Sequence, residues 1–210
     1  FVNQGQQGEF GIGFSADAVV NRVTSNVQAF VNDSGDFEVG SLKISANEEA
    51  PLVALAGAAA INGDEESNGF AGSYTHNILN GSALAWMQQV TVTSMLGSLD
   101  VMAKRLDGSK LISVNAAAAT KGKVVGAGNV ALNQSNWITQ SALHHVDVLN
   151  AKTVNLASTD QSRVWAIAGG VQWNGKIGFS ASFSLNQADS VTRTLIENSH
   201  LELTGSLTAK

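Results

Sequence analysis

Four nine-residue stretches align without gaps and decide how the chain is read: GFSADAVVN at 13–21, GFAGSYTHN at 69–77, VGAGNVALN at 125–133 and GFSASFSLN at 178–186. Each closes on an asparagine, and Asn21, Asn77, Asn133 and Asn186 stand 56, 56 and 53 residues apart. A second block repeats independently: VALAGAAAING at 53–63, ISVNAAAATKG at 112–122 and WAIAGGVQWNG at 165–175. A third, shorter block is Gly40-Ser41-Leu42, Gly97-Ser98-Leu99 and Gly205-Ser206-Leu207. The order of the blocks is the same in every copy, so the 210 residues are one array of repeats, at about 10–63, 64–122, 123–175 and a partial 176–210. Length varies only at polar joints such as Asp64-Glu65-Glu66, as surface turns tolerate. The chain begins at Phe1 and stops just after the third block, so it is expected to be a processed chain or a piece of a longer array.

Within a block, apolar and small polar residues alternate. One parity of the first block reads Ala16, Ala18, Val20; Gly72, Tyr74, His76; Gly128, Val130, Leu132; and Ala181, Phe183, Leu185. The other parity holds residues such as Ser15, Asp17, Ser73, Thr75 and Asn129. A period of two with one apolar face predicts half-buried strands, the apolar parity facing inward. Residues 111–119 are alanine-rich, yet they align with Trp165 and Ile167, which predicts strand there too. Many short strands at a period of about 54 residues predict an all-β parallel β-helix, or β-solenoid. A coil of about 27 residues would place two coils in each repeat. Seven to eight coils at about 4.8 Å each would make a rod roughly 35 Å long. A single proline, Pro51, agrees with strands that all need their backbone donors. Membrane barrels and propellers are weaker alternatives, because girdles of aromatic residues and strong hairpin turns are missing.

Composition narrows function by exclusion. Charged residues are 14% and the net charge is −5, which argues against a binder of phosphate backbones. Zero cysteines exclude disulfides, thiolate metal sites and cysteine nucleophiles. The longest stretch free of charged and large polar residues, 51–61, is too short to cross a bilayer as a helix. Gly11-Ile12-Gly13 and Gly126-Ala127-Gly128 precede no helix that would make them phosphate loops.

No residue cluster announces chemistry. The four closing asparagines are expected to form a structural ladder, bonding along the stack at a bend. His144-His145 aligns with Asn32-Asp33, Gln88-Gln89 and Glu197-Asn198 and reads as a solvated turn, with His200 facing outward. His76 aligns with Val20, Leu132 and Leu185 and is expected to face the core. Glu48-Glu49 and Asp64-Glu65-Glu66 read as solvated acidic turns, the second a weak candidate for Ca²⁺; no cofactor is expected. If Val27, Ala29 and Val31 face inward, Phe30, Trp86, Ala142 and Leu195 form an outward apolar column two coils apart, a candidate interface stripe.

VVGAGNVALNQSNWITQSAL at 124–143 and VWAIAGGVQWNGKIGFSASFSLNQ at 164–187 resemble repeats of large bacterial filamentous surface adhesins, the leukotoxin-like and filamentous-haemagglutinin-type exoproteins. The resemblance covers residues 10–210 as a pattern. It implies a right-handed β-helix, export to the bacterial cell surface and a role as stalk or adhesive surface. The expected function is therefore non-enzymatic: a structural or adhesive segment of a secreted fibre. Its partners would be other protein chains, further copies of the repeat or cell-surface glycans, with no nucleic acid and no membrane insertion. The alternatives are a glycan-binding or glycan-cleaving β-helix of lyase or tail-spike type and, below it, an ice-surface binder, for which Thr91-Val92-Thr93 has the spacing.

Overall fold

The computed structural model describes residues 2–4, 11–61 and 66–210. Asp64 and Glu65 of the acidic turn lie outside the described residues. Among the described residues nine strands form one sheet, and every pairing is parallel: β1 (Val2–Gln4), β2 (Ile12–Glu38), β3 (Leu42–Glu48), β4 (Leu52–Ile61), β5 (Asn68–Ser94), β6 (Ser98–Arg105), β7 (Lys110–Asp160), β8 (Arg163–Glu197) and β9 (His200–Ala209). No helix occurs among the described residues. Residues 111–119 lie inside β7, as strand. Parallel pairing throughout these strands separates the fold from propellers and outer-membrane barrels, whose strands are antiparallel.

The register is the repeat itself. Asn21 pairs with Asn77, Asn77 with Asn133, and Asn133 with Asn186. Likewise Leu42 pairs with Leu99, and Leu99 with Val154. Each residue therefore meets its equivalent one whole repeat later, and the expected two coils per repeat are corrected to one layer per repeat. A 27-residue coil would have to pair the first block with the second, and the two differ in sequence at nearly every bulky position. The stack of four layers is then about 15–20 Å tall rather than 35 Å.

Burial corrects the parity of the first block. Ala71, Ser73, Thr75 and Asn77 are buried, as are Ala127, Asn129, Ala131 and Asn133. Val20, Phe183 and Leu185 are exposed, and Tyr74, His76, Val130 and Leu132 are half-buried. The apolar parity thus faces outward. The reason is the width of the interior. The first-block wall (12–21, 68–77, 124–133, 177–186) faces the second-block wall (53–61, 112–120, 165–173) across side chains no larger than valine: Ala58, Ala60, Ala117 and Ala119 lie against Ala71, Val125 and Ala127. Phenylalanine, tyrosine and leucine do not fit that gap.

Asparagine and serine fit it because they are bonded on both sides. The ladder runs Asn21 Nδ2 to Asn77 Oδ1 at 3.0 Å, Asn77 Nδ2 to Asn133 Oδ1 at 3.1 Å and Asn133 Nδ2 to Asn186 Oδ1 at 2.9 Å. The ladder amides also cross the gap. Asn77 Nδ2 donates to Ile112 O at 2.9 Å, and Asn133 Nδ2 to Trp165 O at 2.6 Å. Ser113 Oγ donates back to Asn133 Oδ1 at 2.6 Å. Asn129 Nδ2 reaches Gly169 O, and Asn115 Nδ2 bonds Val130 O. The ladder stands within strands rather than at a bend, and its buried polar groups are paired as burial demands. Asn133→Ala takes a bond from Asn77 and Ser113, which keep other partners, and removes the side-chain partner of Asn186 Oδ1 and Trp165 O. It is expected to lower the unfolding free energy by roughly 2 kcal/mol or more, at about 1–3 kcal/mol per orphaned group, measured by urea unfolding.

Beyond the walls, the section widens into a conventional core. Met87, Val90, Val92, Met95, Leu99, Val101, Leu143, Val148, Val154 and Leu156 fill it. Entry to this lobe is a shared corner: Asp33, Gln89, His145 and Asn198, equivalent in the four layers, have φ of 46°, 53°, 52° and 48°. Polar residues with short local bonds tolerate that left-handed conformation. The corner is the turn that sequence reading assigned to these positions.

Candidate functional site

Two arrangements stand apart from generic packing: the outer apolar faces of the walls, and a charged column inside. On the first-block wall the outward positions form columns along the stack. Phe14, Phe70, Gly126 and Phe179 make one. Phe14 and Phe70 stack at 5.4 Å, and Phe70 and Phe179 approach to 6.1 Å by leaning over Gly126. A Cβ on Gly126 would lie 2.8–2.9 Å from both rings. The adjacent column, Ala16, Gly72, Gly128 and Ala181, is small throughout, and a shallow depression of about 380 Å³ opens along it, lined also by Ala18 and Tyr74. The second-block wall repeats the scheme. Its groove, about 390 Å³, runs along Gly57, Ala116 and Gly169 beside a ridge of Leu55, Val114 and Ile167. Both Trp165 and Trp173 stand on this face, 52% and 66% exposed.

The expected stripe is also an in-register column: Phe30, Trp86, Ala142 and Leu195 pair in succession. Phe30 and Trp86 stack at 4.7 Å with rings 10° from parallel, one layer apart rather than the two coils expected. Ala142 is fully covered between the larger Trp86 and Leu195 of the neighbouring layers, so the stripe is interrupted there.

The interior column was not legible as a site. Glu48 pairs in register with Arg105, and Arg105 with Asp160. Glu48 is 3% exposed, so the solvated-turn reading of this residue is corrected: its parity in β3 points it inward, where Arg105 faces it. Arg105 Nε lies 3.6 Å from Glu48 Oε2, and its Nη1 lies 3.7 Å from Asp160 Oδ2. Ser109 Oγ donates to Glu48 Oε2 at 2.8 Å, and Arg105 Nη1 donates to Ser135 Oγ at 3.2 Å. The guanidinium lies 4.5 Å over the ring of buried Trp137. Among the described residues, Glu48 Oε1, Arg105 Nη2 and Trp137 Nε1 are buried without a hydrogen-bond partner. One signal was present in the sequence: opposite charges at equivalent positions of successive repeats.

Burial pushes the Glu48 carboxyl above its ordinary 4.5, against the Ser109 bond and Arg105, which pull it down. Burial likewise lowers Arg105, against the two carboxylates. Below the ordinary carboxyl range both folded and unfolded chains hold the Glu48 proton. Between 4.5 and the raised folded value, only the folded chain holds it. Stability from this group is therefore full in acid and lost as pH rises through the folded value. Wild type is expected to lose stability relative to Glu48→Gln, which stands in for the protonated carboxyl, as pH rises above the ordinary 4.5, and the difference then levels off, read by urea unfolding across a pH series.

The histidines take no part in the charged column, and of the four only His76 stands on an outer wall face. His76 faces outward, edge-on to Tyr74 at 6.2 Å, which corrects its expected core placement; it shares the outward parity of the wall. His144 Nδ1 meets Glu197 at 3.1 Å, and exposed His200 meets Glu202 at 3.2 Å. Among the described residues of the acidic turn, Glu66 pairs with Lys176 at 2.9 Å. No group of three or more His, Cys, Asp or Glu that could hold a metal ion occurs among the described residues. No family model matches the chain, and no curated protein or solved structure matches it either.

Proposed function

We propose that this chain is a segment of a right-handed β-solenoid in a secreted bacterial surface protein or extracellular fibre, acting as stalk and adhesive surface rather than as an enzyme. The observation that carries this reading is the stacking of outward apolar residues in register along the layers, in columns interrupted at small residues such as Gly126 and Ala142. Such a surface makes many equal, weak contacts whose sum depends on length. A right-handed path is the usual hand of parallel crossovers. A glycan-cleaving site needs carboxylates open to substrate in a groove, and the interior charged column does not offer them: Arg105 and Glu48 are 1% and 3% exposed. The resemblance of 124–143 and 164–187 to adhesin repeats supports the same reading.

The experiment is a paired assay on the purified chain. Beads coated with it are expected to adhere to cells, more strongly as coating density rises, while a polysaccharide panel yields no cleavage products. Turnover of any polysaccharide, abolished by substituting one residue of this chain, would overturn the reading.

A further inference from the structure

The outer face of the first-block wall presents twenty side-chain positions over four layers, none of them Asp, Glu, Lys or Arg. Its exposed residues include Phe14 at 63% and Ile177 at 62%. Ten residues at about 3.3 Å by four layers at about 4.8 Å give roughly 600 Å². A facing copy that overlaps four of the five columns removes about 1,000 Å² from water in total, the smallest area expected of a specific interface. The face is corrugated: the Phe14/Phe70/Phe179 ridge lies one column, about 6.6 Å, from the Ala16/Gly72/Gly128/Ala181 groove.

That corrugation is its own complement. A two-fold axis along the stack, placed midway between ridge and groove, carries each ridge onto the partner's groove and keeps every residue at its own height. Phe14 then meets Ala16 of the other copy, Phe70 meets Gly72, and Phe179 meets Ala181. At these two central columns large falls on small in every layer that has a phenylalanine there, and the Ile12/Asn68/Val124/Ile177 column meets the Ala18/Tyr74/Val130/Phe183 column on either side. In the remaining layer, Gly126 is already covered by its neighbours' rings. A glycan would need polar side chains to orient it, and this face offers only Asn68, Tyr74 and His76. Lipid chains would cover any apolar face and need no matched ridge and groove.

We infer that this face is an isologous interface with a second copy of the chain, two solenoids lying side by side and parallel. The inference rests on the fibre reading and names the lateral contact such a fibre would use. A two-fold pairing closes on itself, so it makes dimers rather than open sheets.

The test is the mass of the purified chain in solution. Wild type is expected as a dimer of 21.8 kDa chains in sedimentation at micromolar concentration. Gly72→Leu with Gly128→Leu fills the groove where room exists: a Cβ at Gly128 meets nothing within 4 Å, and at Gly72 only Gly128 O at 3.7 Å. This variant is expected to keep its circular dichroism while dimer affinity falls about 100-fold, as loss of a central hot spot does. Phe179→Ser, which cuts the ridge instead, is expected to act in the same direction. A monomeric wild type at 100 μM, a dimer indifferent to both variants, assemblies that grow without limit, or binding to phosphatidylcholine vesicles in place of self-association would each overturn the inference. The assay contains neither cells nor polysaccharide, so its failure leaves the adhesion assay standing, and the reverse holds too.

Discussion

Arg105→Ala is expected to lower the unfolding free energy by about 3–5 kcal/mol, the usual effect of removing one partner from a buried ion pair. The guanidinium is 1% exposed and answers two carboxylates in adjacent layers, Glu48 at 3.6 Å and Asp160 at 3.7 Å. Its removal leaves Glu48 buried with only the Ser109 bond, and empties the space over Trp137. The measurement is urea unfolding followed by circular dichroism. A loss below 1 kcal/mol would show that Arg105 is not held between the layers as described. A companion variant separates specific pairing from stabilisation. Replacing Arg105 by Met, Glu48 by Leu and Asp160 by Asn removes all three charges of the column and nearly keeps its volume, and it is expected to restore most of the lost stability. Apolar replacements of whole buried pairs are often neutral or better.

Trp137→Ala is the other large effect, about 3–5 kcal/mol, from the cavity a buried aromatic leaves. Trp137 is 2% exposed and packs with Leu79 and Leu111 where the narrow walls open into the wide lobe. Its in-register neighbour is Gly81, and a Cβ there would lie 2.5 Å from the indole and 1.8 Å from Ser25 O. The ring therefore occupies space that only glycine leaves free, so the site cannot collapse around a smaller side chain without moving a layer. Because the indole also faces Arg105, the two substitutions are not independent. The double variant is expected to be less destabilised than the two losses together, by about 0.5–2 kcal/mol, the range of a cation–π contact. Additivity within error would place the guanidinium away from the ring.

The array and its register were legible because a parallel ladder stacks equivalents on equivalents: asparagines 56, 56 and 53 residues apart in sequence are neighbours in space. Layer size was not legible from strand count, because each layer contains two unlike walls and a lobe. Only the absence of an asparagine halfway between Asn21 and Asn77 argued for the whole repeat as the unit. Facing failed in the first block for a physical reason. Alternation shows that two faces differ, and hydrophobicity usually says which is inside. Here the opposite wall stands so close that size decides, and Ser73, Thr75 and Asn77 go in while Tyr74 and His76 stay out. In the wide lobe, where Met87 and Leu143 have room, the ordinary rule holds and the inward assignment of the Val27/Ala29/Val31 parity is met. The charged column escaped notice because Glu48 sits next to Glu49 in a polar turn, and only the register reveals that Arg105 and Asp160 stand above it.

One repeat per layer is the claim on which the ladder, the charged column and the outer faces all depend. The chain has no cysteine, so two introduced ones report on a single distance. Gln28 and Leu84 are in-register partners on the outside of adjacent layers. With Gln28→Cys and Leu84→Cys, mild oxidation is expected to form an intramolecular disulfide, because neighbouring strands lie about 4.8 Å apart and a disulfide spans Cα separations up to about 7 Å. Gln28→Cys with Leu55→Cys, the pair that a 27-residue coil would bring together, is expected to stay reduced or to link only between molecules. The opposite outcome, a bridge from 28 to 55 and none from 28 to 84, would contradict the account.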